Sequence, residues 1–234
     1  MHDKEVRKLT QLEDTHWWYA ERRHLLARSV AGMPPGRALD IGAAGGGNSR
    51  VLARAGWQVL ALEYGAEGAA VGRERGLDVI QADATRLPVA DRSLDLVVAY
   101  DVLEHIVDHD AAVREVRRTL RPDGTFAIAV PCDPNLWSAH DVAVDHVRRY
   151  TAATLTDLLS RNGFEITQRW SWNVLLRPAV ALRRRASTGS DLDDVPRIVN
   201  AALRGIVTIE RYLPVKRLPG VTLMVIARPL CARP

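Results

Sequence analysis

The sequence predicts an α/β fold: a doubly wound, mostly parallel seven-stranded sheet with N-terminal helices and a helical insertion before the last strand. Three observations predict it. Strand and helix patterns alternate through residues 35–131 with short connections, as in a parallel sheet covered on both faces. The first strand, Arg37 to Ile41, stops in a glycine-rich turn, Gly42-Ala43-Ala44-Gly45-Gly46-Gly47, and a helical pattern begins near Asn48. Acids recur at successive strand ends, at Asp40, Glu63, Asp83 and Asp101.

Taken in order, residues 5–32 read as one or two helices ahead of the sheet. Trp57 to Leu62 is a second buried strand ending in Glu63, and Leu77 to Gln81 is a third, followed by Ala82-Asp83-Ala84. Leu94 to Ala99 is a fourth strand, leading into Tyr100-Asp101-Val102-Leu103-Glu104-His105-Ile106. A helix over Asp110 to Leu120, a turn at Pro122-Asp123-Gly124 and a fifth strand, Thr125 to Val130, follow. Thr151 to Asn162 is a helix stopped by Gly163. Phe164 to Trp172 is a sixth strand, residues 173–186 and 195–213 are two helices, and Val221 to Ala227 is the last strand. The 234 residues suit a single domain. Within it we expect a helical cap over 1–34, a cofactor-binding core over 35–131, an acceptor loop over 132–150 and an insertion over 173–218.

Composition narrows the class. The apolar fraction is 47% and no run of 18 apolar residues occurs, so no transmembrane helix is expected. The N-terminus is charged (Asp3, Lys4, Glu5, Arg7, Lys8) and lacks a signal core. Two cysteines, Cys132 and Cys231, make no disulfide framework, so a reducing cytoplasm is the expected location. The net charge of +4 is uneven: residues 171–234 carry 11 Lys and Arg against 4 Asp and Glu. A basic tail region serves nucleic acid, an anionic membrane surface or an acidic substrate, or is simply a solvated helix face.

The glycine order decides between ligands. A dinucleotide fingerprint runs Gly-x-Gly-x-x-Gly and places pyrophosphate at the helix N-terminus. Here the order is Asp-x-Gly-x-x-Gly-x-Gly, with the Asp40 carboxylate two residues before Gly42. That arrangement suits a cationic or zwitterionic ligand, and the sulfonium and ammonium of S-adenosyl-L-methionine satisfy it. Glu63 stands about 20 residues beyond the first glycine, where a doubly wound fold places its ribose-binding acid.

The loop Leu39 to Asn48 resembles the first motif of class I S-adenosylmethionine-dependent methyltransferases. "YDVLEHI" and "REVRRTLRPDGTFAIAVP" are similar to the fourth- and fifth-strand blocks of that family, in the form common among its small-molecule O-methyltransferases. The resemblance covers about residues 35–131. It implies a Rossmann-like methyltransferase fold, S-adenosyl-L-methionine as cofactor, and Asp83 as the acid that bonds the adenine amino group. The cofactor set is then Asp40, Gly42, Ala43, Gly45 and Gly47 in the loop, with Glu63, Tyr64, Asp83, Ala84 and Tyr100 at later strand ends. "EDTHWWYAERRH" and "DHVRRYT" resemble segments of a bacterial methyltransferase group linked to glycan, lipid and secondary-metabolite pathways. Trp17 and Trp18 are accordingly expected to cover the cleft, or else to be rim packing of a helix.

Transfer of a methyl group from a sulfonium is an in-line displacement, so the protein must position the acceptor and, for a hydroxyl, remove its proton. Histidine titrates in the right range. His146 is the preferred base, with His105 and His140 as the other candidates, and Trp137, Arg149 and Tyr150 are expected acceptor contacts in the polar loop after the fifth strand. Metal activation is the other route. His140, Asp141, Asp145 and His146 lack the spacing of a known zinc motif, and no metal is expected.

The expected function is methyl transfer to a small-molecule acceptor, at oxygen by resemblance. A cyclisation on the same fold and a non-catalytic cofactor-binding module are the alternatives. A nicotinamide oxidoreductase is disfavoured by the glycine order, and a nucleic-acid substrate by the lack of a base-flipping motif and of aromatics among the basic residues. The basic insertion leaves peripheral membrane or apolar-substrate contact open, and the chain is expected to be a monomer or homodimer.

Overall fold

The computed structural model describes residue 7 and residues 10–186 and 195–230. Asp3, Lys4, Glu5, Lys8 and Cys231 lie outside the described residues. The strands are β1 (Arg37–Ile41), β2 (Gln58–Glu63), β3 (Val79–Gln81), β4 (Leu94–Tyr100), β5 (Leu120–Pro131), β6 (Phe164–Trp172) and β7 (Thr222–Pro229). They form one sheet in the order β3-β2-β1-β4-β5-β7-β6. β1 pairs in parallel with both β2 and β4, so the chain reverses direction across the sheet there. β7 is antiparallel to both β5 and β6. This is the expected doubly wound, seven-stranded and mostly parallel sheet.

Side-chain alternation builds a core on each face. Leu39, Ile41, Val97, Ala99 and Ile128 face one way, against helices α4 (His109–Thr119) and α6 (Ala152–Arg161), between which the short α5 (Ala139–Ala143) carries His140 and Asp141. Ala38, Leu96, Val98, Ala127 and Ala129 face the other way, against α1 (Trp17–Val30) and α2 (Gly47–Arg54). α3 (Ala66–Glu74) covers β2 and β3. The chain starts α4 with Asp108, whose carboxylate accepts from the Ala111 amide at 2.9 Å, a side-chain cap on otherwise orphan donors.

One expected turn is not there. Pro122-Asp123-Gly124 lies within β5: Leu94 pairs with Leu120 but Leu96 with Thr125, so the intervening residues bulge out of the ladder. Glycine is needed at 124 because a Cβ would approach the Arg121 carbonyl to 3.0 Å and the Leu94 carbonyl to 3.2 Å.

The inserted helices are α7 (Arg177–Ala186) and α8 (Arg197–Glu210), shorter than the sequence suggests. α8 packs on α1. Asn200 accepts from the Trp17 amide at 2.8 Å, and Arg211 clasps the buried Glu21 through Nε at 2.8 Å. The insertion therefore holds the N-terminal helix against the sheet, beside the carboxyl ends of the parallel strands. No described helix is long and apolar enough to cross a membrane.

Candidate active site

A cavity of about 990 Å³ opens at the carboxyl ends of the parallel strands. Open α/β sheets bind ligands there, at the point where strand order reverses. Its size is at the upper end of the ~300–1,000 Å³ typical of small-molecule sites, enough for a cofactor and an acceptor together. Gly42, Glu63, Asp83, Asp101 and Pro131 reach it from five successive strands, and Trp17, Trp18 and Tyr19 reach it from α1.

At one end the wall is the loop after β1. Gly42 has φ +68°, and a Cβ there would meet the Val102 side chain at 2.7 Å. Backbone rather than side chain thus faces the ligand. Glu63 lines the cavity, and its carboxylate accepts from the Ala44 amide, tying β2 to the loop. Burial raises its carboxyl above the usual range, and the Ala44 bond opposes that rise. Asp83 is exposed at the rim, where Oδ1 accepts from the Thr85 amide and hydroxyl, both at 2.8 Å. Tyr64, Ala84 and Tyr100 complete this end.

Asp40, Gly45 and Gly47 sit elsewhere than the sequence suggests. Asp40 is buried behind the loop, accepting from the Ser49 hydroxyl at 2.7 Å, and does not line the cavity. Gly45 and Gly47 are roofed by Glu13, whose Oε1 accepts from the Gly47 amide at 2.8 Å. The start of α2 is capped by a carboxylate from 34 residues upstream. Arg75 anchors the same strap, donating to the carbonyls of Gly45 (3.0 Å) and Thr10 (2.9 Å).

Burial pushes the Asp40 carboxyl up to about 7, with the Ser49 bond opposing the rise and the charges of Glu13 and Glu63 adding to it. The folded state therefore holds this proton more tightly than an unfolded chain with a pKa near ~3.9. Its stabilising contribution is full below about pH 4 and is lost as pH rises through about 7. Thermal denaturation should show the melting temperature falling between about pH 4 and pH 7, and Asp40→Asn should flatten that fall. An unaltered slope in the variant would remove Asp40 as its source.

At the other end β4 delivers Asp101, Glu104 and His105, and the loop after β5 delivers His140, Asp141, His146 and Arg149. His146 Nδ1 lies 2.8 Å from Asp141 Oδ1. Asp141 is fully buried and also accepts from Arg149 Nε (2.8 Å) and the Ser138 amide (2.9 Å). Burial alone would raise the Asp141 carboxyl; the bonds from His146 and Ser138 outweigh it and hold it below the usual range. His146 is thus oriented by a fixed carboxylate, with Nε2 turned towards Glu104 Oε1 at 3.8 Å. The His105 ring lies 4.8 Å from the His146 ring. His105 keeps accessible surface, but that surface faces the cavity, whose walls desolvate the ring and push its pKa down to about 4, with His146 adding to the effect.

His105, His140 and His146 all line the cavity, so the three histidines are brought together. The expected acceptor contacts divide. Trp17, Trp18 and Arg149 line the cavity; Trp137 and Tyr150 do not. Tyr150 is a core residue, 1% exposed, with its hydroxyl donating to the Leu103 carbonyl at 3.1 Å and 2.8 Å from His109 Nδ1. Its strand-like pairing with Cys132 turns the ring under the sheet rather than into the cleft. Arg149, also buried, spends its guanidinium on Asp141 and on the Cys132 carbonyl at 2.9 Å. It positions the histidine's partner. Sequence reading missed Arg22, which is buried with its guanidinium 4.9 Å from the Tyr100 ring centre and 5.8 Å from that of Trp172. It pairs with Asp101 at 2.6 Å and so ties α1 to the end of β4.

A methyltransferase-domain family model matches residues 39–128. A probable S-adenosylmethionine-dependent methyltransferase of Mycolicibacterium smegmatis is 31% identical over 166 residues, 68% of this chain and 64% of that protein. The chain belongs to the class I S-adenosylmethionine-dependent methyltransferase family. A demethylmenaquinone methyltransferase of Renibacterium salmoninarum is 32% identical over 129 residues, 54% of each chain. The chain thus spans between about half and two thirds of these curated relatives. A solved complex between the Haloferax volcanii Trm112 methyltransferase activator and a methyltransferase contains a chain that superposes with a TM-score of 0.69. That match is 20% identical and covers 99% of this chain and 97% of the other, a likeness of fold.

The cavity fits the cofactor of this family. The side chain that would narrow the loop is absent at Gly42, and two carboxylates, Glu63 and Asp83, line the same end as the Gly42–Ala44 backbone. Glu63 would hold the ribose hydroxyls and Asp83 the adenine amino group. The methionyl part would then lie towards Tyr100 and Asp101, with the sulfonium near the histidine end.

Proposed function

We propose that the chain is an S-adenosylmethionine-dependent methyltransferase that methylates a hydroxyl oxygen of a small, largely apolar acceptor, with removal of the hydroxyl proton dependent on His146. The observation that supports the reading is that Glu63 and Asp83 line one cavity together with His105, His140 and His146. The bound cofactor supplies an electrophilic methyl carbon on a good leaving group. The chain's residues supply position: Trp17, Trp18, Val144, Val180 and Val221 wall the acceptor side. Such a wall suits secondary-metabolite, lipid-linked or quinone-like molecules, and the demethylmenaquinone methyltransferase among the relatives accords with that class.

Calorimetric titration with S-adenosylmethionine and S-adenosylhomocysteine tests the cofactor half, with NAD as control. We expect micromolar binding of both adenosyl ligands and none of NAD. Asp83→Ala should weaken binding by about 10-fold, the effect of one hydrogen bond to a charged group at an exposed rim, with unchanged thermal stability. Equal affinity in the variant would remove Asp83 from the adenine site, and no adenosyl binding by the parent chain would overturn the reading.

A further inference from the structure

Glu104 is fully buried, and both of its carboxylate oxygens lack a hydrogen-bond donor. Among the described residues no other carboxylate has both oxygens in that condition. A buried carboxylate without donors is costly unless it keeps its proton or something cationic completes it. Arg22, the nearby guanidinium, faces Asp101, and neither of its terminal nitrogens hydrogen-bonds Glu104.

Two imidazoles face the same point. One ligating atom each from Glu104, His105 and His146 lie within 4.8 Å of one another. The outward nitrogens of both rings are already engaged. His146 Nδ1 bonds Asp141 Oδ1 at 2.8 Å, and His105 Nδ1 bonds the Asp145 carbonyl at 3.3 Å. Both acceptors lack a proton to give, so each Nδ1 carries a hydrogen and Nε2 is the nitrogen each ring has left for a ligand. Metal-bound histidines are oriented in this way, by a carboxylate or backbone carbonyl on the far nitrogen. Asp141 is in turn fixed by Arg149 and Ser138. Asp145 is held at φ +58°, a backbone conformation that non-glycine residues rarely adopt and that is found disproportionately at functional sites.

We propose that Glu104, His105 and His146 bind one divalent transition-metal ion, zinc or a close analogue, with an open coordination position facing the acceptor end of the cavity. Two histidines and one glutamate with a vacant position make the ligand set of catalytic rather than structural zinc. Ligand distances of about 2.0–2.2 Å to zinc require the three side chains to close by small rotations from their present separation. The inference rests on the methyltransferase reading and specifies the part His146 plays there: it is a ligand, and the ion acidifies the hydroxyl. The hydroxyl proton goes to solvent water and the O–H electron pair stays on oxygen. That pair forms the new bond to the methyl carbon as the carbon–sulfur pair returns to sulfur.

The test is metal binding by the whole chain after stripping with a chelator. Titration with Zn2+ against a chromogenic chelator should give one ion per chain. Co2+ should give a visible absorption band of a nitrogen- and oxygen-ligated ion. Glu104→Gln and His146→Ala should each weaken Zn2+ binding by at least about 100-fold, and Asp141→Asn by about 10–100-fold as an orienting residue. Retained S-adenosylmethionine affinity would show that each variant is folded. Failure of the stripped, cofactor-binding chain to take up stoichiometric Zn2+ or Co2+ would overturn the inference. So would a Co2+ spectrum unchanged by Glu104→Gln, or methylation indifferent to the chelator. Absence of cofactor binding with metal binding intact would instead overturn the methyltransferase reading and leave the ion site standing.

Discussion

His146→Ala should abolish methylation while leaving S-adenosylmethionine affinity within about threefold of the parent. The residue sits at the acceptor end of the cavity, across from Glu63 and Asp83, so the cofactor's own contacts are untouched. What the substitution removes is the route by which the acceptor loses its proton. As a positioned proton acceptor the imidazole would be worth ~10²–10⁴ in rate, and as a ligand it would instead hold the ion that acidifies the hydroxyl; either role puts that share of the barrier on it. The loss should fall on kcat with little change in KM, because the apolar side chains lining the cavity, Trp17, Trp18 and Val144 among them, remain. Asp141→Asn should lower kcat by a smaller factor, since it leaves the ring present but weakens its orientation. Steady-state kinetics with calorimetry on both variants checks the split. A His146→Ala enzyme within tenfold of the parent kcat would remove His146 from the proton path.

Much of the fold was legible because parallel strands buried on both faces leave continuous apolar runs, and the connections between them carry few alternatives. β6 follows the expected Phe164 to Trp172 span without adjustment. The misread turn at Pro122-Asp123-Gly124 shows the limit. Its residues are those of a turn, but whether the chain reverses or bulges depends on whether Leu94 and Leu96 keep pairing alongside, which is a tertiary matter.

The site was legible unevenly for a related reason. Position along a strand fixes which end of the sheet a residue reaches, so Glu63 and Asp83 could be placed from spacing alone. A loop has no such period. Among the polar residues of 132–150, the sequence could not separate His146 and Arg149, which face the cavity, from Tyr150, which the bridge to Cys132 turns inward. Glu13 and Arg22 lie in the block EDTHWWYAERRH, but their roles could not be read from it, since each acts across the chain, on Gly47 and on Asp101. Glu104 could have been suspected: an acid between Leu103 and His105, on a segment leaving a central strand, is an unusual residue to bury. Its significance depends on His146, more than 40 residues away.

The same logic of strand ends gives the strongest expected effect on cofactor binding, at Glu63. Its carboxylate is partly buried at the end of β2 and would accept from both ribose hydroxyls, where Asp83 offers one contact at an exposed rim. Each hydrogen bond to a charged group in such a setting is worth ~1.5–3 kcal/mol, so losing two in Glu63→Ala should weaken S-adenosylmethionine binding by about 10²–10⁴-fold. Part of that loss has another origin, because Glu63 also receives the Ala44 amide and steadies the loop that faces the ligand. Glu63→Gln separates the two contributions. The amide keeps an acceptor for Ala44 but can accept only through one oxygen, so it should recover the loop and remain weaker than the parent by about 10-fold. Calorimetry gives the affinities, and thermal denaturation without ligand reports the loop. If Glu63→Ala bound the cofactor like the parent, the ribose would not lie at the end of β2. The cofactor would then have to enter the cavity in another orientation, and the direction assigned to its sulfonium, towards the Glu104–His105–His146 end, would fall with it.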